Sequence, residues 1–199
     1  TGLGTAQRRG ALLAWAVERM YRAAFRRSRR VFFQNPDDLQ EFVSLKLVEP
    51  EQTALLPGSG VDTSYYQPVT ARSARVGLRV CMLARLLRDK GVVEFAQAAS
   101  QLRQRFLGIQ FDLWGIVDAS DPRCVTRAEI AQWESEGILQ FHGEARDALQ
   151  AFADADLVVL PSYYPEGTPR TLLEAASMGL PCITTDMPGC RIAVVHEST

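Results

Sequence analysis

Between residues 78 and 185 the hydrophobic period switches repeatedly between short apolar runs and amphipathic stretches of helix length, which leaves few architectures open. The apolar runs are 78–84, 109–114, 138–141, 157–160 and 182–185. Between the first two, Val92, Phe95, Ala96, Ala99, Leu102 and Phe106 recur on one helical face, and 126–135, 145–154 and 169–178 suit helices as well. Strands that alternate with helices pair in parallel, because each crossover helix returns the chain to the same end of the sheet. The expectation is an α/β fold, a parallel sheet with helices on both faces. Ligands in such sheets bind beyond the carboxyl ends of the strands, where the strand order reverses. The loops 85–91, 115–125, 142–145 and 161–168 are therefore the places to look for chemistry.

Upstream, Leu13, Val17, Met20, Tyr21 and Ala24 line one side of a helix expected over 8–30, with Arg19, Arg22, Arg26, Arg29 and Arg30 on another. A strand over 31–34 and a helix over 37–47, started by Asn35-Pro36-Asp37-Asp38, follow. From Pro57 to about Arg75 the pattern dissolves into Gly, Ser, Thr and Pro, the composition of a connecting segment. Three parts are expected: 1–57, a linker over 58–75, and the α/β unit over 76–199.

Composition narrows the function classes. Hydrophobic residues make up 47% and charged residues 23% of the 199, which is globular and excludes a disordered or collagen-like chain. The net charge is −1 and the pI about 6.1, so no basic footprint for nucleic acid covers the chain. Cys81, Cys124, Cys182 and Cys190 show no CxxC spacing and are read as reduced thiols. No apolar run approaches the roughly 20 residues that span a bilayer, and no signal-peptide pattern is present, so a cytoplasmic or membrane-peripheral place is expected. A start at Thr1 and an end without a closing element suggest a piece of a longer protein.

Two loops carry candidate chemistry. Arg85 and Lys90 bracket the turn after the first strand, where an arginine fork and a lysine point charge suit a pyrophosphate, and equally suit a solvated loop. In the segment 160–174, Thr168 is expected to cap a helix whose first residue is Pro169, with Gly179 closing it. The amides at that tip, approached over Gly167, form an anion site. Glu174 lies about 7.5 Å along the axis from Pro169, within reach of a diol attached to a phosphate at the tip. Glu166 stands before the helix; it is either a second sugar contact or a surface charge favouring the helix dipole. His142 is expected to shape the loop before Gly143, and Trp15, Trp114 and Trp133 to serve packing. Two histidines with no spaced carboxylate partners give no metal site. Neither GxxxxGK[ST] nor a helix-opening GxGxxG occurs, which argues against an ATPase and a dehydrogenase.

The spacing Glu166-x7-Glu174, with Leu160-Pro161-Ser162, Leu172-Leu173-Glu174-Ala175-Ala176, Gly179-Leu180-Pro181 and Pro188-Gly189-Cys190-Arg191, resembles the retaining GT-B glycosyltransferases of family 4 (group 1). The type is the one that builds capsule, O-antigen and lipid-linked oligosaccharides. Further matches are Gly2-Leu3-Gly4, Phe33-Gln34-Asn35-Pro36-Asp37-Asp38, Gly58-Ser59-Gly60-Val61-Asp62, Ala84 to Gly91, Trp114-Gly115 and Phe141-His142-Gly143. The resemblance implies a Rossmann-like donor-binding domain over 76–199, the C-terminal half of a GT-B fold incomplete at its end. It makes residues 1–57 a helical remnant, the tail of the acceptor domain. It implies a nucleotide-sugar donor, a UDP-sugar by expectation, no tightly bound cofactor or metal, and a saccharide or lipid-linked acceptor. By position it assigns Arg85, Lys90, Gly167 and Thr168 to the donor diphosphate, Glu166 to the donor sugar as the catalytic residue, and Glu174 to the ribose. Gly115 and Gly143 fall at the base pocket. Lipid-linked acceptors also imply an anionic membrane surface, at the inner face of the plasma membrane, met by Arg19, Arg22, Arg26 and Arg29.

The family's glycine-rich amino-terminal domain is nearly absent and the final helices are missing, so the chain alone is expected to transfer no sugar. Two rival readings remain at this level: a GT-B sugar-nucleotide epimerase, and a noncatalytic donor-binding module that works with a partner half.

Overall fold

The computed structural model describes residues 10–56, 58–68 and 77–195. Its larger sheet has five parallel strands: β3 Arg79–Leu83, β4 Gln110–Trp114, β5 Gln140–Gly143, β6 Leu157–Leu160 and β7 Cys182–Thr184. Their spatial order is β5-β4-β3-β6-β7. The first strand made is thus the central one. The chain builds outward through β4 and β5, then crosses back to lay β6 and β7 on the other side. The order reverses between β3 and β6, which pair Val80 with Leu157 and Cys81 with Val158.

Alternate residues of the central strand feed two cores, as the two-residue period of a strand requires. Val80 and Met82, with Phe111 and Leu113 of β4, pack beneath α3 (Val92–Arg105) and α4 (Arg127–Ser135) through Phe95, Ala99 and Ile130. Cys81 and Val158 face α5 (Ala148–Phe152) and α6 (Arg170–Ser177) through Phe152 and Ala175. A fully buried side chain of this size contributes about 1.5–3 kcal/mol over an exposed one, which explains why short strands suffice here. A short helix, α7 (Cys190–Ala193), follows β7.

The amino-terminal part is smaller. Helix α1 spans Ala11–Phe25, shorter than the expected 8–30, because the chain turns at Arg26 to Ser28; positions 8 and 9 lie outside the described residues. Strand β1 is Val31–Phe33, and α2 runs from Pro36 to Ser44. Buried Asn35 caps α2 by accepting the Asp38 amide at 2.7 Å. An unexpected strand, β2 (Thr53–Leu55), pairs in parallel with β1. Phe33, Phe42, Val31, Leu47 and Val48 form its core, with the Phe42 ring edge-on to Tyr21 and Phe33 at 5.1 and 5.2 Å.

Two further expectations shift. Strand β5 starts at Gln140 rather than 138, because Leu139 is buried as the approach to the strand and Ile138 closes the α4 turn on Trp133 O. Residues 58–68 lie packed on the larger unit: Tyr66 is buried in the second core, Ser177 Oγ donates to Tyr66 O at 2.5 Å, and Tyr65 donates to Asp147 at 2.6 Å. The rest of the expected linker, 69–75, lies outside the described residues.

Candidate functional site

The loops that follow β3 and β6 meet where the strand order reverses. The first contains a 3₁₀ turn, Arg88–Lys90, and ends at Gly91 with φ +82°. A methyl group at Gly91 would overlap the Pro161 carbonyl, so two loops from neighbouring strands lie backbone against backbone. Tyr163 N donates to Asp89 O at 3.0 Å and ties them further.

This approach buries Lys90, which is 7% exposed and ion-pairs with Glu166 Oε1. Ser162, also buried, donates its hydroxyl to the same oxygen at 3.1 Å. The Lys90 ammonium lies 5.4 Å from the Tyr164 ring centroid, a cation–π distance. Lysine is almost never buried without a partner, and here the carboxylate supplies it.

Two helices start at this spot with no side-chain cap, α3 after Gly91 and α6 after Pro169. Elsewhere Asn35, Thr126 and Asp147 cap α2, α4 and α5, while α1 and α7, after Gly10 and Gly189, also lack a side-chain cap. The first amides of α3 and α6 have no intrahelical acceptor, so this end of the sheet presents a cluster of N–H groups and positive dipole ends.

Thr168 is not the cap that the sequence led us to expect. Pro169 holds that position with extended backbone, and its carbonyl accepts from Leu172 at 3.2 Å. Proline therefore removes no amide from the first turn of α6. The Thr168 hydroxyl is buried without a partner among the described residues, as is Asp89 Oδ1 across the same junction. Buried polar atoms without partners are rare in native proteins, and both flank this site.

Glu174, five residues into α6, is 8% exposed and accepts from Arg170 at 3.2 Å. Tyr66 packs nearby, its phenol pushed up by burial and by the Glu174 carboxylate. Gly115 N donates to Gly143 O at 2.8 Å, which sets these glycines side by side at the ends of β4 and β5; a side chain on Gly143 would meet open space. Thus Lys90, Glu166, Gly167 and Thr168 come together, with Glu174 on α6, the helix that follows the 166–168 loop. Arg85 is exposed, with no hydrogen bond to another described side chain, and its charge is felt at Asp121, which the Arg123 hydrogen bond holds at about 2.

His142 lies within β5 rather than in a loop. Its Nε2 is 2.6 Å from Asp112 Oδ1, and its ring stacks on Trp114 at 4.5 Å. Buried Asp112 also accepts from Arg79 at 3.0 and 3.2 Å. This triad braces β3, β4 and β5, and no residue spacing exposes it before the register is known. Ser162 was legible only as part of Leu160-Pro161-Ser162, with no role of its own; a polar residue two positions after the apolar run 157–160 was its available signal. Among the described residues no group of His, Cys, Asp or Glu could hold a metal ion, and no helix is long and apolar enough to cross a membrane.

The parallel sheet flanked by helices matches the structures of GT-B glycosyltransferases. A glycosyltransferase of Rickettsia africae superposes with a TM-score of 0.72 at 18% identity, over 88% of this chain and 49% of that one. Anabaena Alr3699/HepE in complex with UDP gives 0.73 at 22% identity, over 87% and 49%. Residues 77–199 match the family described as glycosyl transferases group 1, and the chain belongs to that family. A curated relative, the N,N'-diacetylbacillosaminyl-diphospho-undecaprenol alpha-1,3-N-acetylgalactosaminyltransferase of Campylobacter jejuni, is 26% identical over 194 residues, 92% of this chain and 49% of the relative. The chain spans about half the length of that relative.

Proposed function

We propose that these residues form the donor site of a retaining glycosyltransferase that takes a sugar from a nucleotide-sugar, in first place a UDP-sugar, to a saccharide or lipid-linked acceptor of a bacterial surface polysaccharide. The observation that carries this reading is the meeting of Lys90 and Glu166 between two uncapped helix starts. Such a junction suits a diphosphate: amides and a lysine supply the donors, and a carboxylate lies beside the sugar that the phosphate carries. The relative's printed activity, transfer of an N-acetylgalactosamine to a diphospho-undecaprenol-linked sugar, and the UDP bound by the Anabaena protein support the substrate class.

In this reading Lys90 and the first amides of α3 and α6 hold the diphosphate, with Gly167 and Thr168 against it and Arg85 reaching in from the loop. Their charge stabilises the negative charge that develops on the departing diphosphate, and this electrostatic term carries the rate. Glu166 contacts the transferring sugar, Glu174 the ribose, and the open space beside Gly143, next to the closely packed Gly115, receives the base. Because Glu166 already occupies the Lys90 ammonium, phosphate and carboxylate compete for one cation. The transfer takes place on the cytoplasmic side of the membrane, with the exposed arginines of α1 and the turn after it, Arg19, Arg26 and Arg29, toward anionic lipid. Arg22 donates to the carbonyls of Leu45 and Lys46 as well, so it anchors the helix while it keeps its charge.

Calorimetric titration with UDP, GDP and ADP tests the site. UDP should bind, Lys90→Ala should weaken it at least about tenfold, and Glu166→Gln should strengthen it, since the competing carboxylate charge is gone. Binding of none of the three nucleotides, or UDP affinity indifferent to Lys90, overturns the reading.

A further inference from the structure

The amino-terminal unit places one side chain in this site. Gln34 follows β1 directly and precedes Asn35, whose full burial and cap on α2 fix the backbone there. A methyl group built on Gly167 would overlap Gln34 Oε1 and come within 2.7 Å of Cδ, so the carboxamide directs its oxygen at Gly167. On the other side of the same loop, a methyl group on Gly189 would overlap the Gly167 carbonyl. The peptide between Glu166 and Thr168 is therefore threaded between Gln34 and Gly189.

Gln34 is exposed, and its carboxamide makes no hydrogen bond among the described residues. A neutral amide offers two N–H donors and an acceptor with two lone pairs, a set that matches alcohol groups, which also both donate and accept. It adds no charge and so gives little to a diphosphate, for which Lys90 and the helix amides are already at hand. From this placement we infer that Gln34 is a specificity-determining residue that hydrogen-bonds hydroxyls of the transferring sugar from the amino-terminal side of the site. The inference rests on the donor-site reading above. It gives the small unit a role in reading the donor.

The test separates sugar from nucleotide. Affinities are measured by calorimetry for UDP, UDP-glucose, UDP-galactose and their two N-acetylhexosamine counterparts, on the full chain and on Gln34→Ala and Gln34→Asn. The expected result is UDP affinity within about twofold of the parent for both variants, with Gln34→Ala weakening the best-bound UDP-sugar about tenfold, the cost of a lost hydrogen bond to a polar group. Gln34→Asn, which keeps the amide one methylene shorter, should lose part of that and change the ranking among the sugars. If all five ligands weaken equally, Gln34 only props the Gly167 loop and the inference fails; if none changes, it fails too. If UDP itself does not bind the parent protein, it is the donor-site reading that falls.

Discussion

The two parts of the molecule are built from the same kind of unit, parallel strands and covering helices, yet they differ in how completely they are enclosed. The five-stranded part buries both faces of its central strands and places Met82, Leu113, Phe95 and Phe152 out of solvent. The two-stranded part has one small aromatic core and leaves Leu12, Trp15, Met20, Phe32 and Leu55 at least half exposed. A parallel pair of strands needs neighbours and helices on both sides to bury its faces, and among the described residues only one side has them. The lesson is that the sheet able to hold its own core also holds the candidate site, while the smaller part touches the larger one through single side chains: Gln34 on Gly167, and Asp37 paired with Arg191 at 3.2 Å.

The largest expected effects challenge that contrast directly. Phe152→Ala and Phe42→Ala each remove a buried ring and should cost about 3–5 kcal/mol. Differential scanning calorimetry should show Phe152→Ala lowering the main transition, whereas Phe42→Ala splits off an early one and leaves the main one in place. A single transition moved by both would show that the two parts melt as one. Next comes Gly91→Ala. The left-handed backbone alone costs about 1–2 kcal/mol, and the overlap with Pro161 adds to it, so denaturant melts should show a clear loss together with weakened UDP binding.

A smaller effect concerns the helix start shared with the site loop. Thr126 caps α4 in a reciprocal pair with Glu129, and Glu129 also receives both oxygens' worth of Arg88 contacts at 2.7 and 2.9 Å. Thr126→Ala should cost about 1 kcal/mol in chemical denaturation. The backbone hydrogen bond from Thr126, then Arg88, holds the Glu129 carboxyl at about 2, below its usual 4.5. Its contribution is therefore complete above about pH 4.5 and lost as the pH falls toward 2. Glu129→Gln should flatten that stretch of the stability profile. The smallest effect is expected at the bridge between the parts: Arg191 and Asp37 are both surface residues, and Arg191→Ala should shift stability by no more than about 0.5 kcal/mol.

Periodicity made the larger sheet legible, because alternation between strand and helix is written in every few residues from 78 to 185. It did not reveal β2, since three residues of Thr-Ala-Leu carry no period of their own and become a strand only by pairing with β1. Glu166 and Lys90 were each legible as candidates, but their pairing was not: they are 76 residues apart and meet only because β6 lies beside β3. The Thr-Pro dipeptide at 168–169 misled because threonine before proline is a common helix start; here the chain stays extended for one residue more and buries the threonine hydroxyl. Gln34 was legible only as a member of the Phe33-Gln34-Asn35-Pro36 match, and its place against Gly167 was not.

The central position of β3 also governs how the protein comes into being. As the chain emerges, one edge of β3 finds β4 some thirty residues later, but the other stays bare until Leu157 and Val158 arrive. A growing chain thus carries an unpaired, apolar ribbon for much of its synthesis, a period in which mispairing competes with correct closure. The same late event joins Lys90 to Glu166, so the site comes into existence only when β6 docks beside β3.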